Sequence, residues 1–293
     1  MANEIEISIN FNKPNNKNDI NAIQRLLYPI FSKKSEEDVL YWKEIRSLFL
    51  AAMKNAELTS FQRKVFWLFI NKVMTKNIKK GNPLREVEDT LRKFVRRFSN
   101  GAKDTKPLSV QRAKMNFENM KSYIIGEKIL DLGAGDGLLA LEIKKSLDKE
   151  ILLIDVLDYN QTDLPLILYR PEGKLPLADN EVDSTILYTV LHHSSDPKHL
   201  IEEATRITKH RLIIKEAYVE NKINRMTNSF FDWFYNRVVG DEDINVPLNF
   251  LKVSEWQKII ESFGFDIIET KYMGIDEPLV PEYHIFIIAD KKQ

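Results

Sequence analysis

In the first 125 residues, apolar side chains recur three and four positions apart, which is the spacing of one face of a helix. Ser35 to Asp38 forms a helix start signal, and Thr59 to Gln62 matches a capping box, in which side chains satisfy the first backbone N–H groups. Gly81-Asn82-Pro83 breaks the pattern, and a further apolar stripe runs from Leu84 to Phe98. These signals predict an all-helical N-terminal part that follows an unpatterned polar segment over residues 11–18.

Beyond residue 125 the pattern changes to short apolar runs that alternate with helical segments. Such alternation predicts an α/β half, joined to the helical half by a linker over 99–107 and a connecting helix over 108–125. The strands are predicted at 128–131, 151–155, 164–169, 184–191 and 211–216, followed by an antiparallel pair at 265–270 and 284–289. Further helices are predicted at 138–147, from the N-cap Asp196 onward, and from a capping box at Ser254 to Gln257 up to Gly264.

Composition excludes several classes of protein. The 293 residues contain no cysteine, so disulfides, thiolate nucleophiles and cysteine-ligated metals are all absent. The first ten residues carry acids and lack the apolar core of a signal peptide. Because no apolar run approaches the length that crosses a bilayer, we expect a cytoplasmic protein with no membrane partner.

The charge is balanced overall but unevenly divided along the chain. Residues 1–125 contain 24 lysines and arginines against 13 aspartates and glutamates, and the remainder carries the compensating acidic excess. Such asymmetry can mark a nucleic-acid-binding arm or an anionic substrate. The alternative, which we favour, is that the basic helices pack against the acidic half or expose solvated faces.

The stretch from Lys128 to Ala140 has the form strand, glycine turn, helix. Glycines let a ligand approach the backbone closely, and the start of the helix offers free N–H groups, so this unit can hold a nucleotide. Asp131, at the end of the strand, would repel a pyrophosphate but would hold an ammonium group. Leu138 stands where the dinucleotide pattern G-x-G-x-x-G needs its last glycine.

A second acid follows the next strand. Asp155 ends the apolar run 151–155, 18 residues after Gly137, and an acid near this distance takes the ribose hydroxyls in nucleotide-binding βαβ units. Together, these features resemble the class I S-adenosylmethionine-dependent methyltransferases, whose first motif is D-x-G-x-G-x-G and whose second strand ends in Asp or Glu. The resemblance covers about residues 125–293.

The resemblance implies a Rossmann-like, seven-stranded sheet with a reversed last strand, and S-adenosylmethionine as the cofactor. The segment from Pro171 to Asp183 is similar to one that passes the adenine in small-molecule methyltransferases, although its spacing is one residue short. The cofactor-binding residues that the resemblance implies are Asp131, Gly133, Ala134, Gly135, Gly137, Asp155, Val156, Glu172, Gly173 and Leu191.

His192 and His193 follow the fourth predicted strand, whose end faces the transferred methyl group in the family. An imidazole there can act as a general base, because its unperturbed pKa is about 6.5. The alternative is a structural turn beside the cofactor. His199, His210 and His284 do not cluster in sequence with any acid at metal-ligand spacing, so we predict no metal site.

The sequence leaves the acceptor open. The motifs of enzymes that methylate amino groups of DNA bases or glutamine, and of ribose 2′-O-methyltransferases, are absent, which favours a small molecule over nucleic acid. The alternatives are an RNA or protein methyltransferase that uses the basic helices, and a non-catalytic subunit. Aromatic residues between Phe230 and Tyr235 are predicted either to contact the acceptor or to pack on the bundle. The predicted domains are 1–106, for capping, specificity or homodimer formation, and 107–293, for methyl transfer.

Overall fold

A computed structural model of the chain describes residues 16–99, 106–240, 244, 246–277 and 279–293. Its first half is helical, as the apolar spacing predicts. The helices are α1 (Asn16–Ser32), α2 (Glu36–Asn55), α3 (Ser60–Lys80), α4 (Leu84–Ser99) and α5 (Lys106–Met120), and a short 3-10 turn follows at Lys121–Tyr123.

Both predicted N-terminal start signals are confirmed. The Ser35 hydroxyl accepts a hydrogen bond from the Asp38 N–H at 3.0 Å, and Asp38 accepts one in return from the Ser35 N–H at 3.1 Å. Thr59 and Gln62 make the same reciprocal pair at the start of α3. Capping depends on neighbours in sequence, so local pattern is enough to find it.

The predicted polar segment and connecting helix need correction. The α1 helix already begins at Asn16, so residues 16–18 are helical, while 11–15 lie outside the described residues. Helix α5 ends at Met120 rather than at residue 125, because the chain tightens into the 3-10 turn before it enters the sheet. Of the predicted linker, residues 100–105 lie outside the described part, and its two ends belong to helices.

The second half forms one seven-stranded sheet in the order β3-β2-β1-β4-β5-β7-β6, with β7 antiparallel to both of its neighbours. Helices cover both faces of this sheet, as the strand–helix alternation predicts. The elements are β1 (Lys128–Leu132), α6 (Leu138–Leu147), β2 (Glu150–Asp155), β3 (Leu166–Leu168), β4 (Val182–Tyr188), α7 (Pro197–Ile207), β5 (Thr208–Ala217), α8 (Lys222–Trp233), α9 (Val253–Ser262), β6 (Phe265–Ile275) and β7 (Tyr283–Lys291).

Several boundaries in this half differ from expectation by a few residues, and two of the differences change a predicted feature. The fourth strand ends at Tyr188, and Leu191–His193 forms a 3-10 turn instead of continuing the strand. The capping box predicted at Ser254–Gln257 is wrong, because the N-cap of α9 is Lys252, two residues before Ser254, and Glu255 accepts its hydrogen bond from the Lys252 N–H at 2.7 Å. Gln257 donates instead to the Thr270 hydroxyl on β6.

The helical bundle and the segment after β5 share one hydrophobic core. Phe230 and Phe234, on α8 and on the π-helical turn Phe234–Val239 that continues it, are fully buried against bundle residues such as Phe49. Trp233 donates from Nε1 to the buried Glu88 carboxylate on α4 at 2.9 Å. The aromatic segment therefore packs on the bundle, one of its two predicted roles, while the domain division at 106/107 stays a prediction.

Candidate functional site

The turn between β1 and α6 is folded against the end of β2. Backbone N–H groups of Gly133 and Ala134 both donate to the Ile154 carbonyl, at 2.8 and 3.3 Å. Gly133 has a φ of +79° and Gly135 a φ of +54°, a region that disfavours every residue with a side chain. Atoms of Val190 occupy the space of a Gly133 Cβ, whereas nothing lies within 4 Å of a Gly135 Cβ among the described residues. The turn is therefore closed on one side and open on the other.

Asp155 ties the end of β2 to this turn. Its Oδ2 accepts from the Gly135 N–H at 2.8 Å, and its Oδ1 accepts from the N–H groups of Val156 and Leu157 at 2.6 and 3.2 Å. A carboxylate has about four lone-pair positions, so hydroxyl donors from a ligand can still reach it. The strand-end acid predicted from spacing thus lies directly beside the glycine turn.

A cleft that we call the β2-side cleft opens next to Asp155. Four predicted site residues line it, namely Gly133, Asp155, Val156 and His193; Val156 is 40% exposed. Glu172, Gly173 and Leu191 are not among its lining residues, and Tyr169, Pro171 and Val190 contribute in their place, together with Ser194, Ser195 and Leu200. Leu191 is fully buried because the 3-10 turn directs its backbone N–H to the Glu216 carboxylate at 2.8 Å.

A second cleft, the α5-side cleft, lies on the other side of the turn between β1, β4 and α5. It contains three buried polar atoms that have no hydrogen-bond partner among the described residues: Asp131 Oδ2, Asn116 Oδ1 and the Tyr188 hydroxyl. Buried polar atoms are normally paired, so these mark a place for a polar ligand. Predicted residues Ala134 and Gly135 also line this cleft. Gly137 is the N-cap of α6 and lines neither cleft.

The Asp131 carboxyl group is 2% exposed. Burial, and then the nearby charges of Asp155 and Asp136, raise its pKa to about 7. Burial and the two neighbouring carboxylates both disfavour the charged form of Asp131, and a bound cation would offset both effects. The site therefore favours an ammonium group, as the sequence suggested.

Arg112 on α5 lines the α5-side cleft and also a third pocket, the bundle-side pocket. Its guanidinium pairs with the buried Glu277, which also accepts from Lys215 Nζ at 2.7 Å. Burial alone would raise the pKa of Glu277, but the two cations outweigh it and hold that pKa well below its usual range. No sequence pattern indicates this ion network, since its members come from elements far apart along the chain. Asn55, Leu108, Gln111, Met115 and Leu279 complete the bundle-side pocket.

The two predicted catalytic histidines differ in environment. His192 is 1% exposed, and its Nδ1 is hydrogen-bonded to the fully buried Glu216. Burial opposes a charge on this imidazole, but Glu216 outweighs burial and raises the pKa of His192 to about 9. His193 lines the β2-side cleft, and its Nδ1 lies 3.8 Å from Oδ1 of Asp232 on α8. No sequence pattern indicates Glu216 or Asp232, because both reach the turn only through the tertiary fold.

Comparison with known proteins agrees with this geometry. Residues 130–213 match the family model of a methyltransferase domain. An uncharacterised protein of Methanocaldococcus jannaschii is 28% identical over 171 residues, which cover 56% of this chain and 78% of that protein.

Two solved structures are similar in fold. A SAM-dependent methyltransferase from Thermotoga maritima is 18% identical with a TM-score of 0.48, and the match covers 69% of this chain and 98% of that one. Another from Aquifex aeolicus is 20% identical with a TM-score of 0.43, over 59% and 88% of the two chains.

In the described part of the chain, no helix has both the length and the apolar character that a membrane crossing requires. The family match covers the glycine turn, Asp155 and the strands that carry both clefts. Residues 130–213 of the chain therefore match a methyltransferase domain, and the cofactor of this kind of domain is S-adenosylmethionine.

Proposed function

We propose that the protein methylates a small molecule and that the two clefts flanking the glycine turn hold the cofactor. The observation that carries this proposal is the buried, unpartnered Asp131 Oδ2, which lies in a cleft that Gly135 also lines. An amino acid end with its ammonium group fits this cleft, and a nucleoside fits the β2-side cleft. The proposed cofactor-binding residues are Asp131, Gly133, Ala134, Gly135, Gly137, Asp155 and Val156.

Each side of the site has a distinct task. Asp155 accepts hydrogen bonds from the ribose hydroxyls, while its three backbone donors hold the carboxylate in position. The half-exposed Val156 and Tyr169 offer apolar surface beside it for the adenine. Asp131 holds the ammonium group at the far side of the turn. We therefore assign the contact with the adenine to Tyr169, in place of Glu172 and Gly173.

The bound cofactor supplies a methyl group that its sulfonium already activates. The chain therefore has to orient the acceptor and exclude water, rather than generate a strong electrophile. Arg112 connects the α5-side cleft with the bundle-side pocket, so an acceptor in that pocket would lie next to the methionine side of the site. The ion pairs of Glu277 fix Arg112 in this position.

The lining of the bundle-side pocket favours a small acceptor. Its walls come from α2, α5 and the segment before β7, and they combine three apolar side chains with two side-chain amides and the Arg112–Glu277 ion pair. The helical bundle thus contributes to the pocket through Asn55. Phe230, Phe231, Trp233 and Phe234 do not contribute, because they are fully buried in the shared core.

The test is a turnover assay on the full-length protein with methyl-labelled S-adenosylmethionine. Small carboxylic acids, phenols, amines and thiols are supplied as separate mixtures, total RNA as a further sample, and adenosylhomocysteine is measured by mass spectrometry. We expect turnover with at least one small-molecule mixture. Methylation of RNA alone, with binding that weakens steeply with salt, would support the macromolecular alternative instead. Cofactor binding without turnover on any sample would support the non-catalytic alternative.

A further inference from the structure

Three potential metal ligands meet beside the β2-side cleft. His192 and His193 lie on the 3-10 turn after β4, and Asp232 lies on α8. One ligand atom from each residue lies within 4.8 Å of the other two. We propose that these three side chains bind one divalent transition-metal ion of the zinc type. This inference goes beyond the proposed function, since none of the three residues is assigned to hold the cofactor.

The buried carboxylate of Asp232 favours a bound cation. Its side chain is fully buried, and its Oδ1 accepts from Asn236 Nδ2 at 2.7 Å. Its Oδ2 is buried and has no hydrogen-bond partner among the residues that the structure describes. A buried carboxylate oxygen that lacks a partner is costly, and a cation would satisfy it. The unpartnered oxygen belongs to the same carboxylate that faces His193.

The hydrogen bonds that hold His192 in place also favour a bound metal. Its Nδ1 is hydrogen-bonded to Glu216, which is fixed by backbone N–H groups of Leu191 at 2.8 Å and Ala217 at 2.6 Å. A metal-ligating histidine typically donates its other ring N–H to a carboxylate, which sets the tautomer and the ring orientation. Glu216 engages Nδ1, so a metal that displaces the proton of the other ring nitrogen would bind His192 through Nε2.

The ligand set indicates the class of ion. Two imidazole nitrogens and one carboxylate oxygen suit zinc, iron or cobalt, whereas magnesium and calcium prefer oxygen ligands. Bonds of about 2.0–2.2 Å require the three side chains to approach one another by about an ångström. Three protein ligands leave one position of a tetrahedral ion open. His193 lines the β2-side cleft, so an ion held by it has access to that cleft.

This assignment opposes the prediction that either histidine is a general base. An imidazole nitrogen that binds a metal has no lone pair left to accept a proton. A histidine that acts as a general base keeps its activity in the presence of a chelator, whereas a chelator removes a bound metal ion. The prediction of no metal rested on His199, His210 and His284, which do not cluster with an acid in the sequence. The acid of this site comes from α8, 40 residues beyond His192.

The proposal is tested on full-length protein without a polyhistidine tag, after chelator treatment and dialysis. Zinc binding is measured by calorimetry, and cobalt is added separately because its visible spectrum reports the coordination geometry. We expect one ion per chain, a higher melting temperature with zinc, and a cobalt spectrum of a four-coordinate site with nitrogen and oxygen ligands. X-ray absorption on the zinc-loaded wild type should show imidazole ligands, a readout that needs no variant to fold.

Variants then assign the ligands. Asp232→Asn keeps the shape of the side chain but removes its charge. Loss of a carboxylate that only supports a metal ligand weakens metal binding on the order of 10–100-fold, and we expect Asp232→Asn to weaken zinc binding by at least that much. Glu216→Gln should weaken binding within that range, and His193→Ala by at least as much. The matched control is His210→Ala, an exposed histidine outside the cluster, which should bind zinc normally. Circular dichroism without metal confirms that each variant is folded. No zinc binding by the wild type, or equal binding by wild type and Asp232→Asn, would overturn the proposal.

Discussion

Val190, two residues beyond the end of β4, occupies the space that a side chain on Gly133 would need. A Cβ added at Gly133 would lie 2.2 Å from Val190 Cγ2, far inside van der Waals contact. The turn after β1 is therefore shaped by the neighbouring strand as well as by its own glycines. Gly135, two residues further on, has a similar backbone conformation but an open surrounding.

This difference gives a matched pair of variants. Gly133→Ala combines a left-handed backbone with a steric clash, so it should lower the free energy of unfolding by about 2–5 kcal/mol. Gly135→Ala carries only the backbone cost of about 1–2 kcal/mol. Denaturant unfolding of the cofactor-free protein measures both values. Equal losses in the two variants would mean that Val190 yields without cost, and that the closed side of the turn is not rigid.

Asp131 predicts a pH dependence of cofactor binding. Its pKa of about 7 means that the carboxyl group is largely protonated below neutral pH, when it cannot hold an ammonium group. The affinity for adenosylhomocysteine should therefore fall by up to about tenfold per pH unit below about pH 7. Calorimetry at about pH 6 and about pH 8 tests this, with Asp131→Asn as the control that should bind weakly and without this dependence. An affinity of the wild type that does not change with pH would contradict the role of Asp131.

The raised pKa of Asp131 also affects the stability of the folded protein. A carboxyl group whose pKa rises on folding binds more protons in the folded state between its unfolded pKa, 3.8, and its folded pKa, about 7. The cofactor-free wild type should therefore lose stability as the pH rises through this range, by an amount on the order of a few kcal/mol. Asp131→Asn should lack this loss and should be the more stable protein above about pH 7.

The bundle-side pocket predicts a variant that separates cofactor binding from turnover. Leu279→Trp adds bulk to the pocket, and Leu279 lines neither of the two clefts proposed to hold the cofactor. Once an acceptor is found, this variant should lose at least tenfold in turnover, because misplacing an acceptor is costly, while its adenosylhomocysteine affinity stays within a few fold. The control is Ile268→Trp, at a 58% exposed position on β6. Normal turnover by Leu279→Trp would move the acceptor site elsewhere.

Deleting the helical bundle is a poorer test of whether the bundle-side pocket binds the acceptor. Removal of residues 1–100 would expose Phe230, Phe234 and Trp233, which the bundle buries at present. It would also leave the Trp233 N–H without its Glu88 partner. Loss of activity in such a truncation would report mainly on folding, so the point variants carry the argument.

Local signals made much of the fold predictable. The glycine turn, the boundaries of α6 and the reciprocal caps of α2 and α3 each depend on residues close together in sequence, and all were confirmed. Asp155 was also found by spacing, because a βαβ unit of ordinary length returns the second strand beside the first.

What the sequence could not provide arises from distant contacts. Leu191 was expected at the cofactor, but a hydrogen bond to Glu216, 25 positions away, turns it into the core. Asp232 approaches His193 only because α8 packs between the bundle and the sheet. The aromatic run of α8 could be interpreted in two ways, since periodicity shows that a face is apolar but not what covers it. These contacts decide the site chemistry, and no local pattern encodes them.

The most direct test of the cofactor site is calorimetric titration of adenosylhomocysteine into wild type, Asp155→Asn and Asp163→Asn. Asp155→Asn keeps the size of the side chain but weakens the charge-assisted hydrogen bonds to the ribose, each worth roughly 1.5–3 kcal/mol. Asp163 is an exposed acid outside the lining of both clefts, so its variant controls for loss of charge. We predict one binding site per chain, a loss of about tenfold or more in Asp155→Asn, and normal affinity in Asp163→Asn. Unchanged binding by Asp155→Asn would show that the cofactor does not lie beside the glycine turn.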